Sequence, residues 1–123
     1  MTAGLVEERL TAVLGAWAAG SVTLGTLLAA APRTRGFGRQ TAVWGALDGA
    51  IAWAGTRHRA AHGRTDPARL RRVLLVNAGL DAGYLLAGLW LLRDGRWRGD
   101  GAAVLVQGGF LLALDTLAAR ALR

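Results

Sequence analysis

Four blocks of the chain, each long enough to cross a bilayer and each carrying at most one charge, constrain its fold more than any other feature. Residues 10–31 contain no charge; residues 40–56 contain only Asp48, residues 73–92 only Asp81, and residues 101–119 only Asp115. A hydrocarbon core roughly 30 Å thick is crossed by about 20 apolar residues in a helix. The amphipathic helices of a soluble bundle need a polar face, and these blocks have few polar residues from which to build one. The expected architecture is therefore all-α: an integral membrane four-helix bundle with four transmembrane helices in up-down order, forming a single domain over residues 1–123.

Composition agrees once it is read along the chain. Hydrophobic residues make up 53% of the sequence beside a net charge of +7, and all 15 basic residues are arginine. The arginines flank the apolar blocks, where anchoring and topology residues belong; this placement argues against a nucleic-acid partner and for membrane lipids. Cysteine is absent, which excludes disulfides and thiolate chemistry. The first block follows Glu7, Glu8 and Arg9 and has full span length, unlike the short core and basic leader of a signal peptide, so it is read as the first helix. No cofactor is implied.

Short connections make neighbouring helices antiparallel and bring both termini to one side. That side carries nine arginines, namely Arg9, six from Arg57 to Arg72, Arg120 and Arg123, against six on the other. The positive-inside rule then places both termini in the cytoplasm of a multi-pass cell-membrane protein, although so small a bias leaves dual topology open. The basic connection 57–72 contains Asp66-Pro67, an N-cap followed by a first helical residue. His58 and His62 are four apart but lack a third ligand, and read as surface histidines.

Polar residues within the spans recur at helical spacing. Gln40, Trp44 and Asp48 share one face of the second helix, and Asn77, Asp81 and Tyr84 one face of the third. Gln107 and Asp115 in the fourth repeat the spacing of Gln40 and Asp48, a hint that helices 1–2 duplicate helices 3–4. Intramembrane ionisable groups face the bundle interior or a wet cavity. GxxxG spacing around the carboxylates, Gly45 with Gly49 and Gly79 with Gly83, places Asp48 and Asp81 against another helix or a pore. The expected polar core is Asp48, Asp81, Asn77 and Tyr84, with Gln107 and Asp115 next to it and Trp44 and Trp17 as walls. Asp115, nearer the cytoplasmic end, is assigned to a gate or to a pair with Arg120.

No Lys, Arg or His lies inside any of the four blocks. Clustered carboxylates in a low-dielectric site cannot all stay charged without a positive partner: a proton, a cation, a cationic solute, or an arginine reaching in, Arg57 and Arg120 being nearest. One reading is a homo-oligomeric protein that binds or translocates a proton, cation or cationic solute through Asp48, Asp81, Asn77, Tyr84, Asp115, Gln107, Gln40 and Trp44. A second is a non-catalytic scaffold, assembly subunit or lipid-binding module. A third is an intramembrane aspartyl or metal-dependent enzyme, with the balance against catalysis. "LDGAIA" resembles the DGxxA core of the CDP-alcohol phosphotransferases, and "NAGLD" the Asn and Asp pairing of lipoprotein signal peptidases. The first lacks that family's remaining aspartates and the second its flanking signatures, so no family is assigned.

Overall fold

The computed structural model describes residues 2–122, so Arg123 lies outside the described residues. Among these residues the chain is all-helical, with four α-helices: α1 (Ala3–Ala29), α2 (Arg35–His62), α3 (Pro67–Leu92) and α4 (Arg98–Ala121). A 3-10 turn, Gly95–Trp97, leads into α4. Every helix begins earlier than its apolar block because the flanking arginines interrupt hydropathy and not helical backbone. The connection expected over 57–72 shrinks accordingly to residues 63–66. Gly63, at φ 80°, ends α2 in a conformation that side chains disfavour. The Asp66 carboxylate then accepts the backbone N–H of Arg69 at 3.1 Å, with Pro67 at the first helical position.

Three segments are long and apolar enough to cross a membrane: α1, α3 and Gly95–Ala121. This suggests a membrane protein. The second block departs from expectation. Helix α2 is as long as the others, but Arg35, Arg39 and Gln40 at one end, Arg57 and Arg59 at the other and Asp48 between them lower its hydropathy.

The helices form two hairpins. Helix α1 packs along α2 and α3 along α4, while α2 and α4 join the hairpins across the middle. Glycine sets the closeness of both hairpins. A Cβ on Gly25 of α1 would lie 2.5 Å from the backbone nitrogen of Ala42, and one on Gly101 of α4 would lie 2.8 Å from the carbonyl oxygen of Gly88. Small residues at such positions let two helix backbones approach closely. Gly45 and Gly49 meet α1 as well, whereas Gly79 and Gly83 have nothing within contact distance. Of the two expected neighbours of this stretch, another helix or a pore, the α3 glycines themselves meet neither closely and sit on an open face, while Asp81 between them lines a cavity; the contacting glycines of that hairpin are Gly88, Gly101 and Gly108.

Hydroxyls follow the same logic. Thr23, Thr26 and Thr56 donate to carbonyl oxygens four residues back in their own helices, at 2.8, 2.6 and 2.9 Å, so they need no partner elsewhere. At the end holding both termini, Val6, Leu70, Leu74 and Ala119 form an apolar cluster. Buried Glu7 closes this end over the 63–66 turn, accepting the N–H and hydroxyl of Thr65 at 3.1 and 3.3 Å and pairing with Arg59 at 3.5 Å.

Candidate functional site

Because the hairpins meet through α2 and α4, two seams stay open along the bundle, one between α1 and α4 and one between α2 and α3. Each is bridged by aromatics. In the α1–α4 seam, Trp17 stacks on Phe110 with centroids 3.8 Å apart; in the α2–α3 seam, Trp44 meets Tyr84 edge-on at 4.9 Å. The polar residues distribute unequally between them.

Gln107 belongs to the first seam. Its carboxamide oxygen accepts Trp17 Nε1–H at 2.8 Å, and its amide nitrogen donates to Ser21 Oγ at 3.2 Å. The side chain is 1% exposed, and its oxygen and nitrogen are both used. This places Gln107 and Trp17 away from the carboxylates they were expected to accompany. Gln40 is elsewhere again, at the end opposite the termini, where its Nε2 donates to Asp100 Oδ1 at 3.2 Å and Arg39 approaches the same oxygen at 4.0 Å. The matched spacing of Gln40–Asp48 and Gln107–Asp115 therefore does not lead to matched partners.

The second seam holds a cavity of about 420 Å³. Asp48 of α2, Asp81 of α3 and Asp115 of α4 all line it, together with Trp44, Asn77 and Tyr84. The three aspartates are 2%, 3% and 8% exposed. Asp81 and Asp115 approach one another, and Asp48 stands close enough to both to interact through charge. Oδ2 of Asp48 and Oδ2 of Asp81 are buried with no hydrogen-bond partner. Asp115 thus lines the same cavity as Asp48 and Asp81, and the expected ion pair with Arg120 is absent among the described residues. Its turn of α4 faces α3, so it meets Asp81 within the α3–α4 hairpin, and Asp48 of α2 lies across the seam from both.

No arginine reaches the group. The ion pairs among the described residues are Arg39–Asp100 and Arg59–Glu7, and Arg57 lies over the outward-facing ring of Trp53 at 5.1 Å. The cavity lining contains no basic side chain. No cluster of three or more His, Asp or Glu among the described residues is disposed to hold a metal ion. His58 and His62 stack on one another at the surface, with ring centroids 4.5 Å apart.

Two buried carboxylates escaped sequence reasoning. Asp100 immediately precedes the fourth apolar block and reads there as part of a loop, while Glu7 reads as one charge in a polar N-terminal stretch. Both are 5% exposed and both are partnered. Gly36 leaves room for Asp100 Oδ2, a tertiary contact that no local pattern in the sequence announces.

The fold and site together define an all-helical protein, three of its helices able to cross a membrane, with carboxyl groups gathered between its two hairpins. The chain belongs to a family of unknown function (DUF6992), which matches residues 13–116 and so takes in Asp48, Asp81 and Asp115. No curated protein and no solved structure matches the chain.

Proposed function

We propose that the four helices cross the cell membrane with both termini in the cytoplasm, and that Asp48, Asp81 and Asp115 bind a proton or cationic solute for translocation, in a homo-oligomer. Membrane residence is supported by an inverted distribution of side chains. Leu27, Ile51, Leu86 and Trp90 are exposed, while Ser21, Thr41, Gln107 and the aspartates are buried. Hydrocarbon solvates such a surface and water does not.

The observation that carries the functional reading is the pair of unpartnered oxygens, Asp48 Oδ2 and Asp81 Oδ2, in a cavity free of basic side chains. An aspartate at the centre of a span costs about 2.5 to 3.5 kcal/mol to insert. An interhelical hydrogen bond in a membrane contributes about 0.6 to 1.7 kcal/mol. Aspartates that leave two buried acceptor oxygens unused are therefore a poor means of holding helices together. A scaffold would need them partnered, as Gln107 is. A charge delivered by a ligand accounts for the open acceptors, and the lack of convergent metal ligands favours a proton or organic cation.

The test is infrared spectroscopy of the carboxyl bands in nanodiscs together with flux in liposomes. Wild-type bands shift on titration and on addition of a cation, and Asp48→Asn or Asp81→Asn removes a band and abolishes flux while the protein stays folded. Normal flux in both variants would refute the reading.

A further inference from the structure

We infer that the solute is a lipophilic amine, an ammonium head on an apolar chain, and that it reaches the carboxyls sideways from the bilayer through the α2–α3 seam. This rests on the carboxyl-site reading above and adds to it the ligand class and its route.

The route follows from which walls are open. The back of the cavity is made by α1 and α4, where Leu14 is buried and Leu10, Leu111 and Leu114 are half-buried. Its rim is made by Leu47 and Ile51 of α2 and Val73 and Leu80 of α3, whose exposures are 52%, 62%, 47% and 54%. The mouth thus faces the surroundings of the bundle between α2 and α3, the two helices that stand apart. Both axial routes are obstructed. Toward the termini, buried Leu70 and Leu74 pack on Val6 and Ala119. Toward the other end, Trp44 and Tyr84 close edge-to-face at 4.9 Å. A solute that must cross water to arrive meets apolar plugs, whereas one dissolved in hydrocarbon meets aliphatic side chains like its own chain.

The ligand class follows from what the cavity offers. Its volume of about 420 Å³ lies within the roughly 300 to 1,000 Å³ of small-molecule pockets and far exceeds what a proton needs. Its wall is aliphatic except where Trp44, Asp48, Asn77, Asp81, Tyr84 and Asp115 line it, and Oδ2 of Asp48 and Oδ2 of Asp81 are buried there without a hydrogen-bond partner. Carboxylate oxygens beside aromatic rings suit an ammonium ion, which hydrogen-bonds to the first and is attracted to the faces of the second. The aliphatic remainder suits a chain.

The experiment follows the infrared carboxyl bands of the whole protein in phosphatidylcholine nanodiscs, with empty nanodiscs as blank, on addition of dodecylamine, methylamine or dodecanol. Dodecylamine shifts the bands, and methylamine and dodecanol at the same concentration leave them in place. Leu47→Trp and Leu80→Trp, at the lipid-facing rim, slow the dodecylamine response about tenfold, as one bulky obstacle on the path would, and leave the pH titration unchanged. An equal response to methylamine overturns the inference by showing a water route, and the carboxyl-site reading survives. Bands that titrate with pH but ignore both amines overturn the inference in favour of a proton site. Bands that respond to neither pH nor amine remove the carboxyl-site reading itself.

Discussion

The α1–α4 and α2–α3 seams are built alike and finished differently. Each runs between one helix of each hairpin, each is bridged by an aromatic pair, and each buries polar side chains. In the first, Gln107 bonds Trp17 and Ser21 and leaves neither end of its amide idle. In the second, three carboxyls gather around a cavity and two of their oxygens have no partner. Burial of a polar group is common to both, so burial does not distinguish a structural group from a functional one. Partnership is what differs: Gln107 uses both its oxygen and its nitrogen, whereas Asp48 and Asp81 each keep one buried oxygen without a partner, as does the hydroxyl of Thr41 in the first seam.

The hairpins themselves provide the largest effect. Gly25→Val places branched carbon against the backbone of Ala42, already only 2.5 Å from a hypothetical Cβ. Backbone on backbone cannot repack as side chains do, so a loss of about 3 kcal/mol is expected, at the top of the usual overpacking range. It is read as a lowered midpoint of unfolding in mixed detergent–SDS micelles. Such a loss separates the α1–α2 contact, which tolerates nothing larger, from the seams, which have room. The next effect sharpens the comparison between seams. Gln107→Leu removes two interhelical hydrogen bonds and strands the Trp17 N–H, with an expected loss of about 2 kcal/mol in the same assay. The carboxyl bands of the other seam should still titrate as in the wild type. A change in those bands would mean that the two seams are coupled and the division drawn between them is wrong.

Much of this arrangement is legible in the sequence, and the illegible part has a physical reason. The four helices follow from block length and charge spacing, and Asp66-Pro67 signals the start of α3 through local chemistry alone. Asp48, Asp81, Asn77, Tyr84 and Trp44 share a cavity because helical periodicity already puts each set on one face. The partner of a polar residue is a different matter. Gln107 and Asp115 lie on the same helix at a spacing that suggests a common face, yet one looks toward α1 and the other toward α3. Eight residues on an α-helix overshoot two full turns by about 80°, which suffices at a narrow central helix to send two side chains into opposite seams. Gln40 is lost for a related reason: its partner, Asp100, stands outside the apolar block, so a search confined to the spans does not meet it.

Glycine spacing gives the smallest predicted effect and tests that lesson most directly. The sequence "GLDAG" places Gly79 and Gly83 on either side of Asp81 at the spacing of a helix contact, the same pattern that holds at Gly45 and Gly49. The pattern is sound for α2, where Gly45 lies against Ser21 and Val22 of α1, and fails for α3, where neither glycine has a neighbour within 4 Å. A glycine that meets nothing contributes only its conformational freedom, which a helix must freeze. Gly79→Ala therefore stabilises the fold by about 0.5 to 1 kcal/mol, the usual helix-interior difference between the two residues, and leaves the titration of the carboxyls intact. Measured in mixed micelles, a gain of that size establishes Gly79 as a residue of the open face. A loss would mean that a second copy of the chain packs against this face, as close approach to another helix is what would make a methyl group at that position costly.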